Sequence, residues 1–101
     1  MTIQELNNTI SKKEVELIIK HLTKFISNNE VEIIKKYGII ISKSNTNLEE
    51  NIIKHHINLV FNGGNPTIKE ITFEFLNLSI TVPYDTLQYI IRQNKLNILL
   101  K

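Results

Sequence analysis

Residues 70–82, EITFEFLNLSITV, alternate apolar and polar side chains with period two and change phase once, at Leu76-Asn77. Such alternation belongs to a half-buried β-strand, because successive strand side chains point to opposite faces. Before the break the apolar set is Ile71, Phe73 and Phe75, against Glu70, Thr72 and Glu74; after it, Leu78, Ile80 and Val82 alternate with Ser79 and Thr81. A one-residue phase change turns every later side chain over, so it marks a bulge or a hairpin. With Leu76-Asn77 as a two-residue turn, Phe75 meets Leu78, Phe73 meets Ile80 and Ile71 meets Val82, and all of these lie on one face. Leu76 is a poor residue for the positive φ such a turn wants. A single bent strand through Val82 is therefore the alternative.

A sheet with one apolar face needs a cover, and SKKEVELIIKHLTKFIS supplies it. Val15, Ile18, Ile19, Leu22, Phe25 and Ile26 recur at helical spacing, and Ser11 with Glu14 three residues on forms a capping box, which predicts a helix from about Lys12 to Ser27. Lys13, Glu16, Lys20 and Lys24 fall on its solvated side. A second short helix is expected over EVEIIKKYG, with Asn29 as cap, Glu32 completing the box and Gly38 as left-handed terminator. The β-branched run at Ile39 to Lys43 reads as a strand.

From Leu48 two patterns compete: a capped helical turn to about Ile53, or a strand extended backward by Ile53, His55, Ile57, Leu59 and Phe61 at period two. The expectation is a helical turn near Leu48 to Ile53 and a strand from about His55 to Phe61. Past Pro83, YDTLQYIIRQNK reads as a helix capped by Asp85, with Gln88 completing the box, Tyr84 and Tyr89 in staple positions, and Leu87, Ile90 and Ile91 as its apolar stripe. The apolar tail from Leu96 to Leu100 is expected to pack or pair as a last short strand.

Composition bounds the function classes. A chain of 101 residues with 42% hydrophobic and 22% charged side chains is a globular mixture, and at this length one core buries roughly 65% of the unfolded chain's surface. A single domain spanning 1–101 is expected. Ile, Asn and Lys dominate while Ala is absent, the signature of AT-rich coding, so an individual Asn or Lys carries little chemical information. With no cysteine, disulfides, thiolate metal sites and a cysteine nucleophile are all excluded. The opening MTIQELNNTISKKE has no basic segment leading into an apolar one, and no run approaches the roughly 18 apolar residues of a membrane span. A cytoplasmic protein without membrane contact is expected. Twelve basic residues against 10 acidic ones, interspersed, give a net charge of +2, too mild to demand a polyanionic partner.

The one stretch that resembles a chemical site is HHINLVFNGGNP. Adjacent His55 and His56 point to opposite faces of a strand, whereas two ligands on one strand face need i, i+2 spacing. The remaining histidine, His21, flanks the first helix's apolar stripe, and a metal would have to recruit Glu49, Glu50, Glu70 or Glu74. A phosphate loop needs a helix after its glycines. Here a strand pattern follows, so Gly63 and Gly64 read as a turn and Pro66 as the start of the next strand. The serines at 11, 27, 42, 44 and 79 have no nucleophile-elbow context, and Glu70 with Glu74 reads as a solvated pair. Neither catalysis nor a cofactor is expected.

The fold expected is α+β: an N-terminal helical pair packed on an antiparallel sheet of three to five strands, followed by a C-terminal helix. Its expected core is Ile18, Leu22, Phe25, Leu59, Phe61, Ile71, Phe73, Ile80 and Ile90. A small cysteine-free domain of this kind, with no visible active site, fits a non-enzymatic protein-binding module, an inhibitor of the toxin-immunity, antitoxin or phage-antagonist type. The alternative is a small nucleic-acid-binding regulator, disfavoured because Arg92 is the sole arginine and no lysine runs converge. Candidate partner-binding residues are Glu70, Thr72 and Glu74 on one sheet face, and Tyr37, Tyr84 and Tyr89, since tyrosine commonly anchors interfaces. An open edge at Ile39 to Lys43 or the C-terminal tail offers strand addition in a heterocomplex or a homodimer.

Overall fold

The computed structural model describes residues 10–44 and 52–98. Helix α1 (Lys12–Asn28) is followed by the short α2 (Val31–Lys36), strand β1 (Ile40–Lys43), three strands β2 (Ile53–Asn62), β3 (Asn65–Phe75) and β4 (Leu78–Pro83), and helix α3 (Tyr84–Gln93). The strands form one antiparallel sheet in the order β1-β4-β3-β2. This is the α+β architecture with a C-terminal helix.

Both hairpins follow the sequence. Phe75 pairs with Leu78, Phe73 with Ile80 and Ile71 with Val82, so the phase change is a turn and the bent-strand alternative falls. Leu76 does adopt φ 54°, tolerating the left-handed region that the two-residue connection imposes. Gly63 and Gly64 take φ 62° and 90° between the paired Asn62 and Asn65, as a tight turn with two positive φ values requires.

Beneath the sheet's apolar face lie α1 and α3. Helix α1 touches α3 and β2, while α3 touches β3 and β4. Val15, Ile18, Ile19 and Leu22 of α1, Leu87, Ile90 and Ile91 of α3, and Ile57, Ile71, Phe73, Ile80 and Val82 of the sheet belong to one buried cluster. The short α2 contributes a single buried residue, Ile34.

The helix ends show where local reading succeeded and failed. Ser11 and Glu14 form the reciprocal capping box, Glu14 N–H donating to Ser11 Oγ at 3.2 Å and Ser11 N–H to Glu14 Oε1 at 3.1 Å. Gly38, at φ 76°, closes α2: its N–H donates to Lys35 O and the Ile39 N–H to Ile34 O. Asn29, expected to cap α2, instead spends its side-chain amide on Phe25 O at 2.8 Å and so caps the end of α1. Glu30 is the α2 N-cap, without a side-chain bond, and no Glu32 box forms. Asp85 is not the α3 cap either. Pro83, extended at φ −58° and ψ 148°, takes that position, and Asp85 sits within the first turn, where its charge complements the helix dipole. The cap lies two residues earlier than expected, so the staple positions become Val82 and Leu87, both fully buried, and neither Gln88 nor the tyrosines hold the roles assigned to them.

Ile52 is not helical and strand β2 begins at Ile53, so the helical turn expected near Leu48 to Ile53 is overturned at its last two residues, and the rest of it, up to residue 51, lies outside the described residues. The tail enters no strand as far as Ile98, which is buried, with Leu96 packed against the core. Its remaining residues, 99–101, lie outside those described.

The largest departure concerns Phe61, expected in the core and 61% exposed. Strand β4 ends with Pro83 opposite Glu70. Among the described residues the β2–β3 hairpin runs on past that point without a third strand, from Leu59 opposite Ile68 to Phe61 opposite Pro66. A bulge at the base of this arm places Asn58 opposite Glu70 and Leu59 opposite Ile68, leaving Lys69 as the extra residue. Phe25 and Leu59, also expected in the core, are packed against it and only partly buried.

Candidate functional site

Three surfaces collect residues able to recognise a partner. The first is the sheet face away from the helices. Its cross-strand rows follow from the register: Lys54, Glu74, Ser79 and Ser42; then His56, Thr72, Thr81 and Ile40; then Asn58, Glu70 and Pro83. Glu70, Thr72 and Glu74 do share this face, as the alternation requires. Thr72 and Thr81 bridge hydroxyl to hydroxyl at 3.0 Å, and Asn58 Nδ2 donates to Thr72 Oγ1 at 3.3 Å and Glu70 Oε1 at 3.4 Å. Side chains tied across strands in this way form an ordered polar plane. Its acidity is tempered, because Lys54 stands directly opposite Glu74. The His56 imidazole lies 3.9 Å from the Glu74 carboxylate.

The second surface is the hairpin arm. On β2 the odd-numbered residues from Ile53 to Phe61 keep to the helix side of the sheet, and the bulge restores Ile68 and Pro66 of β3 to that same side. The apolar stripe of the core therefore continues outward: Leu59 and Ile68 are half-buried and Phe61 lies open at the end. The opposite side of the arm carries Asn58, Val60, Asn65 and Thr67, and the bulge adds the exposed Lys69 at its base. Sequence reasoning missed the arm for lack of the strand lengths. The signal for the bulge was present, since Ile68 and Ile71 are three apart where an even strand would space them by two or four.

The third is a cleft of about 260 Å³ between the C-terminal halves of α1 and α3. Tyr37 and Tyr89 stack beside it with centroids 5.5 Å apart and planes inclined by 23°, and Phe25 meets Tyr37 edge-on at 5.4 Å. A hydrogen bond to the Tyr37 side chain, reinforced by the repulsion between two phenolates, holds the Tyr89 phenol above its ordinary value. Tyr37 is anchored in turn, its carbonyl accepting from the buried Thr86 hydroxyl at 2.6 Å. The fold thus joins two of the candidate tyrosines. Tyr84, at the first position of α3, is set apart by five residues, or about 140° around the helix.

His55 and His56 point to opposite faces, the first half-buried opposite Phe73 and the second exposed opposite Thr72. Among the described residues no group of three His, Asp or Glu side chains lies close enough to hold a metal ion. Gly63 and Gly64 join two strands rather than a strand and a helix, so their amides lack the helix terminus of a phosphate cradle. No described helix is long and apolar enough to cross a membrane. Comparison with family models, with curated proteins and with solved structures returned no match.

Proposed function

We propose that this chain is a non-enzymatic domain that binds and neutralises another protein, with the β2–β3 arm as its principal contact. The observation that carries this reading is Phe61, a large aromatic side chain 61% exposed at the end of a continuous apolar stripe. Isolated exposed hydrophobics need no explanation; an apolar strip that continues the core out into solvent has the composition of an interface centre. The arm is held by paired backbone along its whole length down to the Asn62–Asn65 closure, so little ordering entropy would be lost on association. The adjoining polar face, with Glu70, Thr72 and Glu74 already aligned, supplies hydrogen-bonding rim and orientation for a basic partner.

The test is a tagged pull-down from lysate of the source cells, with and without nuclease, repeated for Phe61→Ser. The expected result is one near-stoichiometric protein retained through nuclease treatment. Its affinity should fall about thirtyfold in the variant, the effect of losing an interface anchor of about 2 kcal/mol. Thermal unfolding should be almost unchanged, because Phe61 is already in solvent. Charge reversal at Glu70 and Glu74 should weaken binding less. Unchanged affinity in the Phe61 variant would remove the arm from the interface, and recovery of nuclease-sensitive material alone would replace the protein partner by nucleic acid.

A further inference from the structure

The cleft between α1 and α3 has a chemistry of its own. Its lining includes Lys24 and Asn28 from α1, and Tyr89 and Gln93 from α3, with no carboxylate among the described residues. Lys24 forms no salt bridge with any described residue. Two further amides line it, and each spends its NH₂ on the end of its own helix: Asn29 on Phe25 O at 2.8 Å and Asn94 on Ile90 O at 2.9 Å. Their oxygens are left as acceptors, while Asn28 and Gln93 offer both donor and acceptor.

These groups narrow the ligand by elimination. A small cation is disfavoured by the Lys24 ammonium. A compact anion is disfavoured by the two helix C-termini that meet here, each carrying about half a negative charge. What remains is an uncharged ring with donors and acceptors on its edge, with any negative group held at its periphery near Lys24. Tyr89 provides a platform for such a ring, since its orientation is set by stacking on Tyr37. The volume sets the size: about 260 Å³ falls below the roughly 300–1,000 Å³ of ordinary ligand pockets, which suits one ring system.

We propose that this cleft binds a nucleobase, stacked on Tyr89 and read along its edge by Asn28 and Gln93, with Lys24 placed for the phosphate of the same nucleotide. Amide side chains recognise base edges through paired donor and acceptor, and an aromatic face holds any base by stacking. The base belongs either to a free nucleotide or to a single strand, and both present the same chemistry to the cleft. The inference is independent of the arm and of the protein it would engage.

The experiment is titration of the full chain, followed by NMR, with AMP, GMP, CMP and UMP at millimolar concentration, with ribose 5-phosphate and inorganic phosphate as controls. At least one monophosphate should saturate, and bind at least about tenfold tighter than ribose 5-phosphate, the smaller part of what a stacked base contributes. Tyr89→Leu and the exposed-position variant Gln93→Leu should each weaken it about tenfold, whereas Tyr89→Phe, which keeps the ring, should bind as the parent does. Tetranucleotides bound more than tenfold tighter than the monophosphates, with the same losses in the variants, would assign the base to a strand; equal affinity would assign it to a free nucleotide. Absence of saturation by every monophosphate and tetranucleotide, equal binding of ribose 5-phosphate, or unchanged affinity in Gln93→Leu and Tyr89→Leu would each overturn the proposal.

Discussion

Phe73→Ala is expected to cost about 3–5 kcal/mol, which is much of the roughly 5–15 kcal/mol that holds a domain together. Phe73 is fully buried at the centre of the sheet, on β3 between His55 of β2 and Ile80 of β4. Removing its ring takes away burial and leaves a space that two paired strands hold open. The neighbours cannot collapse into it without breaking the ladder on either side. Denaturant unfolding would read the loss as a lower midpoint at unchanged slope. A loss below about 1 kcal/mol is the outcome typical of exposed positions, and would reverse the assignment of the sheet's inward face.

Gly38→Ala should cost about 2–5 kcal/mol, by two separable mechanisms. At φ 76° the residue ends α2 in the left-handed region, where a side chain costs roughly 1–2 kcal/mol. In addition, a Cβ placed there falls 2.8 Å from Cγ of Pro83. That atom belongs to a ring at the junction where β4 becomes α3, so it has little room to yield. Gly63→Ala separates the two contributions: φ is 62° there as well, yet nothing lies within 4 Å of the added Cβ. It should show the backbone cost alone, about 1–2 kcal/mol. Equal losses in the two variants, measured by thermal unfolding, would mean that the contact with Pro83 is relieved at no cost.

Legibility in the sequence tracked the range of the interaction involved. The α1 helix, its Ser11–Glu14 box and the pairing of Phe75 with Leu78 depend on residues close in the chain, and all were readable. The caps of α2 and α3 were misplaced because each choice had a competitor that sequence does not rank. Asn29 could serve the helix before it or the one after it, and geometry gave it to the carbonyl of Phe25. Pro83 ended a strand and opened a helix at once, which moved the buried staple positions to Val82 and Leu87. Lys95 closes α3 at φ 53° although it is not glycine, with its N–H on Arg92 O and that of Leu96 on Ile91 O, so no residue type announced the stop.

The candidate sites divide in the same way. Alternation alone put Glu70, Thr72 and Glu74 on one face, and adjacency alone put His55 and His56 on two. Strand length and neighbour order decided the rest. Phe61 carries the same periodic signal as Ile57, yet β4 stops opposite Glu70, so Ile57 is buried and Phe61 is in solvent. The stacking of Tyr37 on Tyr89 and the cleft beside them join segments far apart in the chain. By itself the sequence determined which residues share a helix stripe or a strand face, because that follows from a period of 3.6 or 2 along one chain. Only the tertiary structure decided which of those faces are covered, because burial depends on where another segment ends in space, and no local period encodes it.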